Sequence, residues 1–335
     1  MDINEEYFRY KNKSVLITGG AGFIGSNLAS VLVNLGAKVT LVDNMNPSYG
    51  GNQFNISNIR SSLIFNISDI RDEKIMRAKI KGADFLFNLA AQTSHVESMT
   101  NPLEDLSINT VGPLTILELC RQINPSIKII FSSTRQIYGK PDYVPVKETH
   151  PIRPVDINGI NKYASESYHL MYQHLYGIRS TVLRLTNTYG AGMRIKDARQ
   201  TFLGIWIRNI LEGNPINVFG DGTQIRDFNY VDDCVCAMLL AGLSEGANGK
   251  VYNLGGDEII SLRDLAELVI KIAGYGKYEI IDFPAERSAI DIGSIYGDYS
   301  LISNELGWKP RVSLAVGLTK TIEYYHSNLS EYTKS

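Results

Sequence analysis

Short apolar runs alternate with segments of helical spacing through the first half of the chain. SVLIT from Ser14 reads as a strand; Ile24, Leu28, Val31, Leu32 and Leu35 then recur at helical spacing until Gly36 ends the helix. KVTLVD is the next strand, followed by a polar loop over residues 44–58 rich in Asn, Ser and Gly. The alternation resumes with LIF, a helix over 72–81, the strand DFLFNLA, a long helix over 103–123, the strand KIIFSS, a helix over 158–176 and the strand STVLRL. Strands alternating with helices require right-handed crossovers and a parallel sheet covered on both faces. The pattern therefore predicts an α/β fold of the Rossmann type, a doubly wound parallel sheet with a smaller C-terminal α/β lobe.

Beyond Asn187 the pattern loosens into Gly- and Pro-containing loops, with helices predicted over 199–212, 231–244, 261–273 and 313–326. The expected division is a dinucleotide-binding domain over 1–186 and a ligand-binding lobe over 187–335, with residues 225–246 packing back on the first domain. That lobe is expected to close over the carboxyl edge of the sheet, where ligands of such folds bind.

Composition narrows the partners. The 335 residues are 44% hydrophobic and 20% charged, and 33 Lys+Arg against 35 Asp+Glu leave a net charge of -2. Such a balance offers no basic field for a polyanion, so nucleic acid is not an expected partner and any phosphate must be gripped by shaped loops and a few arginines. Cys120, Cys234 and Cys236 are too few for a disulfide framework, and a lone Cys-x-Cys makes a poor metal site, so reduced core thiols and no metal are expected. The opening MDINEEYFRYKNK is polar and acidic, and no run reaches the roughly 18 apolar residues of a membrane span; the expectation is a cytoplasmic protein without a membrane partner.

The turn Thr18-Gly19-Gly20-Ala21-Gly22-Phe23-Ile24-Gly25 lies between the first strand and the first helix, the context that a dinucleotide fingerprint needs. Gly19 permits the tight turn, Gly22 lets backbone amides approach a pyrophosphate, and Gly25 lets helix and sheet pack closely. Asp43 follows Gly25 by 18 residues at the end of the second strand, placed to accept from both ribose hydroxyls, with Asn44 beside it. Its charge would repel a 2'-phosphate, and no Arg or Lys lies between Lys38 and Arg60, so the expected cofactor is NAD rather than NADP.

TGGAGFIGSNL, VDN, NISDIRD, NLAAQ, INTVGPLTILE, SSTRQIYG and FGDGTQIRDFNYVDD stand in the order and spacing of the extended short-chain dehydrogenase/reductases. More narrowly, residues 13–327 resemble the NAD-dependent epimerase/dehydratase group acting on nucleotide sugars. The resemblance implies that Asp69 and Ile70 flank the adenine, that Leu89, Ala90, Ala91 and Ser132 line the cofactor, and that Asn109 supports the active-site backbone. It also implies a homodimer through a four-helix contact made by the helices over 103–123 and 158–176.

Members of that family place a Tyr-x-x-x-Lys pair on one helix face, where lysine and nicotinamide lower the tyrosine pKa so that it takes the sugar hydroxyl proton. Here Lys162 fills the lysine position and Thr134 the strand-end Ser/Thr position, but Asn158 stands where the tyrosine belongs. Tyr163 cannot replace it, being about 140° round the helix from Asn158. Asparagine is no base near neutral pH, and losing a general base costs about 10²- to 10⁴-fold in rate. Either another group takes the proton, or the chain is a binding protein that keeps NAD and nucleotide sugar without the usual chemistry. His95 and Glu97 are the leading substitutes by position, and Tyr189 is a third.

Arg135-Gln136 occupies the place of the acid–base Asp-Glu pair of sugar dehydratases, and glucuronate decarboxylases keep a Glu where Gln136 stands. Epimerisation of a nucleoside diphosphate sugar through a transient keto-sugar is therefore the expected reaction, with net oxidation of such a sugar as an alternative. The resemblance assigns the substrate side to Thr134, Asn187, Arg199, Val218, Arg226 and Arg287, the arginines suiting a diphosphate.

Overall fold

The computed structural model describes residues 5–197 and 201–333. Seven parallel strands form the central sheet: β1 (Ser14–Thr18), β2 (Lys38–Asp43), β3 (Ile64–Ile67), β4 (Phe85–Asn88), β5 (Lys128–Thr134), β6 (Arg179–Leu185) and β10 (Val251–Asn253), in the order β10-β6-β5-β4-β1-β2-β3. The order reverses between β1 and β4, which opens a crevice at their carboxyl ends.

Both faces of the sheet are buried, and successive residues of a strand serve opposite faces. Val15 and Ile17 of β1 join Phe87 and Ile130 in one core, against Leu28 and Leu32 of α1 (Phe23–Asn34) and Val235 and Leu239 of α8 (Val231–Leu243). Leu16 joins Leu86 and Ile129 in the other, against Met76 of α2 (Glu73–Ile80), Ile116 of α5 (Gly112–Ile123) and Tyr172 of α6 (Ile157–Tyr176). The later chain thus returns to the central sheet through α8 and β10. Cys120 and Cys234 are buried thiols, while Cys236 is only partly enclosed.

The helix expected over 103–123 is three pieces: α4 (Pro102–Leu106), a wide π turn over Ser107–Val111, and α5. Pro113 carries no amide hydrogen to bond the Asn109 carbonyl one turn back, so the regular ladder breaks there. Ser165 of α6 donates to that carbonyl instead.

The remaining elements form a lobe over the crevice. β7 (Asn187–Tyr189) and β9 (Ile225–Tyr230) pair with β11 (Ile259–Ser261), and β8 (Ile216–Phe219) pairs with β12 (Tyr278–Ile281). They pack with α7 (Phe202–Leu211) and α9 (Leu262–Ala273). The last helical segment, α12 (Leu314–Thr333), is kinked at Asn328, close to the expected end at 326, and in the turn beyond the kink Tyr332 is buried and donates to Asn55 Oδ1 at 2.5 Å, while Asn52 Nδ2 donates to the Glu331 carbonyl at 3.0 Å. These bonds tie the chain end to the loop after β2. No helix among the described residues is long and apolar enough to cross a membrane.

Candidate functional site

A single cavity of about 980 Å³ runs from the glycine turn, across the ends of β4 and β5, to the second lobe. Gly19, Gly22, Phe23, Ile24, Gly25, Asp43 and Asn44 line one end, with Asp69, Ile70, Leu89, Ala90 and Ala91 beside them. Gly19 is left-handed, at φ +67°, and a Cβ there would lie 2.9 Å from the Ala90 backbone; a Cβ on Gly25 would lie 2.2 Å from the Gly19 carbonyl oxygen. These close approaches leave α1 seated directly behind the turn. Asp72, Asp156, Thr201 and Ser261 cap their helices with side chains, whereas Gly22 caps α1 with none. The first amides of α1 thus remain available to an anion, and the helix dipole favours one.

Asp43 is almost fully enclosed and accepts from the Ala21 amide at 3.0 Å and the Met45 amide at 2.9 Å. Burial raises its pKa, against the pull of those amides. A carboxylate has about four acceptor sites, so capacity remains for a ribose diol. Asp69 is held by Arg71 through two bonds of 2.8 Å and by Asn44 at 2.9 Å; the Arg71 bonds are the main cause that lowers its pKa to about 2. Arg71 also bonds Glu104, leaving it a poor counter-charge for a 2'-phosphate. The turn, the uncapped helix and Asp43 together fit NAD. Asn109 does not line the cavity; its Nδ2 donates to the Gln92 carbonyl at 2.9 Å and braces the backbone there.

Midway along the cavity sit Ser132, Thr134, Asn158, Lys162, His95 and Glu97. Lys162 Nζ donates to the Ser132 carbonyl at 2.8 Å and lies 4.7 Å over the Phe131 ring. Burial brings its pKa down to about 8, opposed by Asp105. Thr134 Oγ1 accepts from the Gln136 amide at 3.1 Å, which leaves its hydroxyl proton to donate into the cavity. Asn158 Nδ2 donates to the Gln92 carbonyl at 2.8 Å and to Asp105 Oδ2 at 3.2 Å. With both amide hydrogens engaged, Asn158 offers only its carbonyl oxygen to a ligand.

His95 opens the short helix α3 (His95–Thr100), with Nδ1 2.9 Å from Asp156 Oδ2. Glu97 follows on the same helix, its amide donating to Ser94 Oγ at 3.2 Å. Tyr189 is removed as a candidate base. It is buried outside the cavity, its hydroxyl 3.2 Å from the Leu314 carbonyl, and it packs edge-on against Phe228 and Tyr230. Tyr163 projects from the opposite side of α6 and is 38% exposed.

Arg226 and Arg287 line the far end. Arg226 donates to the Ile225 and Gly293 carbonyls and lies 3.5 Å from Asp291; Arg287 stacks 5.5 Å over the Phe219 ring. Asn187 lines the cavity too, with Oδ1 accepting from Arg135 at 2.9 Å and Nδ2 donating to the Asp227 carbonyl at 2.9 Å. Val218 is a correction. It points into the core with no exposed surface, and its neighbours Asn217 and Phe219, on the other face of β8, line the cavity. Strand alternation decides this: one residue of register exchanges the two faces. Arg199 lies outside the described residues. Arg194 bonds Asp197 and the Pro47 carbonyl and does not reach the cavity.

Sequence reasoning placed Arg135 at the position of the dehydratase acid–base pair but gave it no role in the site, and it missed Asp156. Arg135 lines the cavity and donates to Thr186 Oγ1 at 3.0 Å as well as to Asn187. The signal that could have found Asp156 is its residue type at a helix N-cap, two positions before Asn158.

The model of the NAD-dependent epimerase/dehydratase family matches residues 15–255. A putative UDP-glucose 4-epimerase of Methanocaldococcus jannaschii is 33% identical over 317 residues, covering 94% of this chain and 99% of the relative. The crystal structure of a UDP-glucose 4-epimerase from Thermotoga maritima with UDP-glucose is similar at a TM-score of 0.85 and 34% identity, covering 94% of this chain and 99% of that one. A UDP-glucose 4-epimerase of Thermus thermophilus in complex with NAD aligns at a TM-score of 0.83 and 29% identity, covering 93% and 98%. Matched over most of its length, and carrying the glycine turn, Asp43, Thr134 and Lys162 on one cavity, the chain belongs to the NAD-dependent epimerase/dehydratase family.

Proposed function

We propose that the protein is an NAD-dependent epimerase that inverts carbon 4 of a nucleoside diphosphate sugar. The observation that carries this reading is the continuity of the cavity: the cofactor cradle at one end and Arg226 and Arg287 at the other are joined past Thr134 and Lys162. A diphosphate held by the arginines extends the sugar towards Thr134. Bound NAD supplies a hydride acceptor that later returns the hydride. Lys162 would orient the cofactor ribose and bring a positive charge to the site, and Thr134 would donate to the reacting oxygen. Asn158 accepts from a sugar hydroxyl and holds it in place. The similarity to 4-epimerases supports carbon 4 as the centre inverted.

The same reading includes a homodimer and a cytoplasmic place of work. Leu103, Leu106, Val111, Ile160, Tyr163, Met171 and Leu175 form an exposed apolar stripe along α4, the π turn and α6, a surface suited to pairing with a second copy. Incubating the protein with NAD and UDP-glucose, UDP-N-acetylglucosamine or UDP-glucuronate, and separating the products chromatographically, tests the activity. One of the three is expected to approach an equilibrium with its 4-epimer; no conversion of any refutes the reading.

A further inference from the structure

We propose that His95 and Asp156 form the proton-handling pair of this site, with His95 Nε2 receiving the proton of the sugar hydroxyl and Asp156 holding the ring. The inference rests on the reading above, that a sugar alcohol is oxidised and re-reduced here. In the forward step the C–H electron pair of the alcohol carbon leaves as hydride to the nicotinamide of NAD, and the O–H proton goes to His95 Nε2. The return step reverses both transfers on the other face of the carbon, and His95 ends neutral.

The geometry distinguishes the two ring nitrogens. Nδ1 is enclosed and 2.9 Å from Asp156 Oδ2, while a third of the His95 side chain is open and lines the cavity. Nε2 is therefore the end that meets a ligand. The carboxylate oxygen sits off the axis of the ring N–H, a misalignment common before substrate tightens a catalytic contact.

Asp156 has no exposed side-chain surface. Its other contacts are neutral donors: the Gly159 amide at 2.6 Å and Gln136 Nε2 at 2.8 Å. Burial works against its charge, yet the His95 contact and these donors together hold its carboxyl below the ordinary value. Among the described residues, His95 is the only group at ion-pair distance from it. An imidazolium formed at His95 thus meets a fixed, desolvated counter-charge, which stabilises the state created as the proton arrives.

The substitution at 136 belongs to the same arrangement. A glutamate there would press a second carboxylate against Asp156, and two such groups cannot both stay ionised. Glutamine donates instead and leaves Asp156 charged. Asn158, with its amide hydrogens given to Gln92 and Asp105, does not compete for the proton.

The test uses the full chain with NAD and the panel of UDP-glucose, UDP-N-acetylglucosamine and UDP-glucuronate. His95→Gln is expected to lower kcat by about 10²- to 10⁴-fold, with binding of UDP, read by calorimetry, unchanged. Asp156→Asn keeps the helix cap and is expected to lower kcat by about 10-fold or more, with KM little altered; Asp156→Ser keeps the cap and removes the ring contact altogether. A second readout needs no turnover. Among the five histidines, the resonances missing from His95→Gln identify His95, and its ring nitrogen shifts should show the Nδ1–H tautomer in wild type and a mixture in Asp156→Asn. Turnover by wild type with His95→Gln within about threefold of it overturns the pair and leaves the epimerase reading standing, since a true general base costs far more. No turnover of any panel sugar by wild type overturns that reading; an identical tautomer in wild type and Asp156→Asn overturns the pair regardless.

Discussion

Replacing Lys162 by methionine should abolish turnover and, at the same time, expose how much stability the site gives up to keep a buried charge. Lys162 is 7% exposed, and burial takes its pKa from 10.5 to about 8, a difference of about 3 kcal/mol between protonation states. The folded pKa lies below the unfolded one, so the penalty is fully present below about 8 and disappears as pH rises towards 10.5. Integrated over both titrations, it falls by about 2 kcal/mol between about pH 7 and about pH 9.5. Methionine carries no charge at either pH, and the lost bond to the Ser132 carbonyl affects both alike. Urea unfolding of wild type and Lys162→Met at the two pH values gives two stability differences. Wild type should gain about 2 kcal/mol on the variant at the higher pH; a difference that stays constant to within about 0.5 kcal/mol would refute the burial argument.

Asp43→Asn turns an amide NH2 towards the Ala21 or Met45 amide and removes the charge expected to meet the ribose; NAD affinity should fall by about tenfold or more, with the preference over NADP reduced, as fluorescence titration can read. Gly25→Ala forces a methyl to 2.2 Å from the Gly19 carbonyl, which should cost about 1–3 kcal/mol in unfolding free energy and weaken NAD binding; unaltered affinity would show that the turn and α1 are not tightly coupled. Ile160→Asp places a charge on a residue 49% exposed in the apolar stripe of α6; sedimentation is expected to show a dimer for wild type and a monomer for the variant, and a wild-type monomer would contradict the proposed four-helix pairing.

The sheet and the cofactor end were legible in the chain because their signals are local. A run such as SVLIT, the spacing of Gly19, Gly22 and Gly25, and an acidic residue at the next strand end all fall within a few turns of one another. The proton-handling end was less so. His95 could be singled out by its position after β4, but nothing in the chain joins it to Asp156, a contact made only when α3 packs on α6. Val218 shows the limit at a single strand, where the segment was right and its face was reversed. The break at Pro113 was written in the residues themselves, but apolar periodicity on both sides masked it. Tyr189 carried a suitable group, and only tertiary packing revealed that it is turned into the core.

Isotope tracing tests the central claim most directly. The panel sugar that turns over is prepared with deuterium on carbon 4, incubated with the protein and NAD in ordinary water, and its epimer analysed by mass spectrometry. Oxidation and return of the same hydride predicts an epimer that retains its deuterium, and a matching reaction in heavy water that gains none. Loss of the label to solvent, or uptake of solvent deuterium at that carbon, would contradict it.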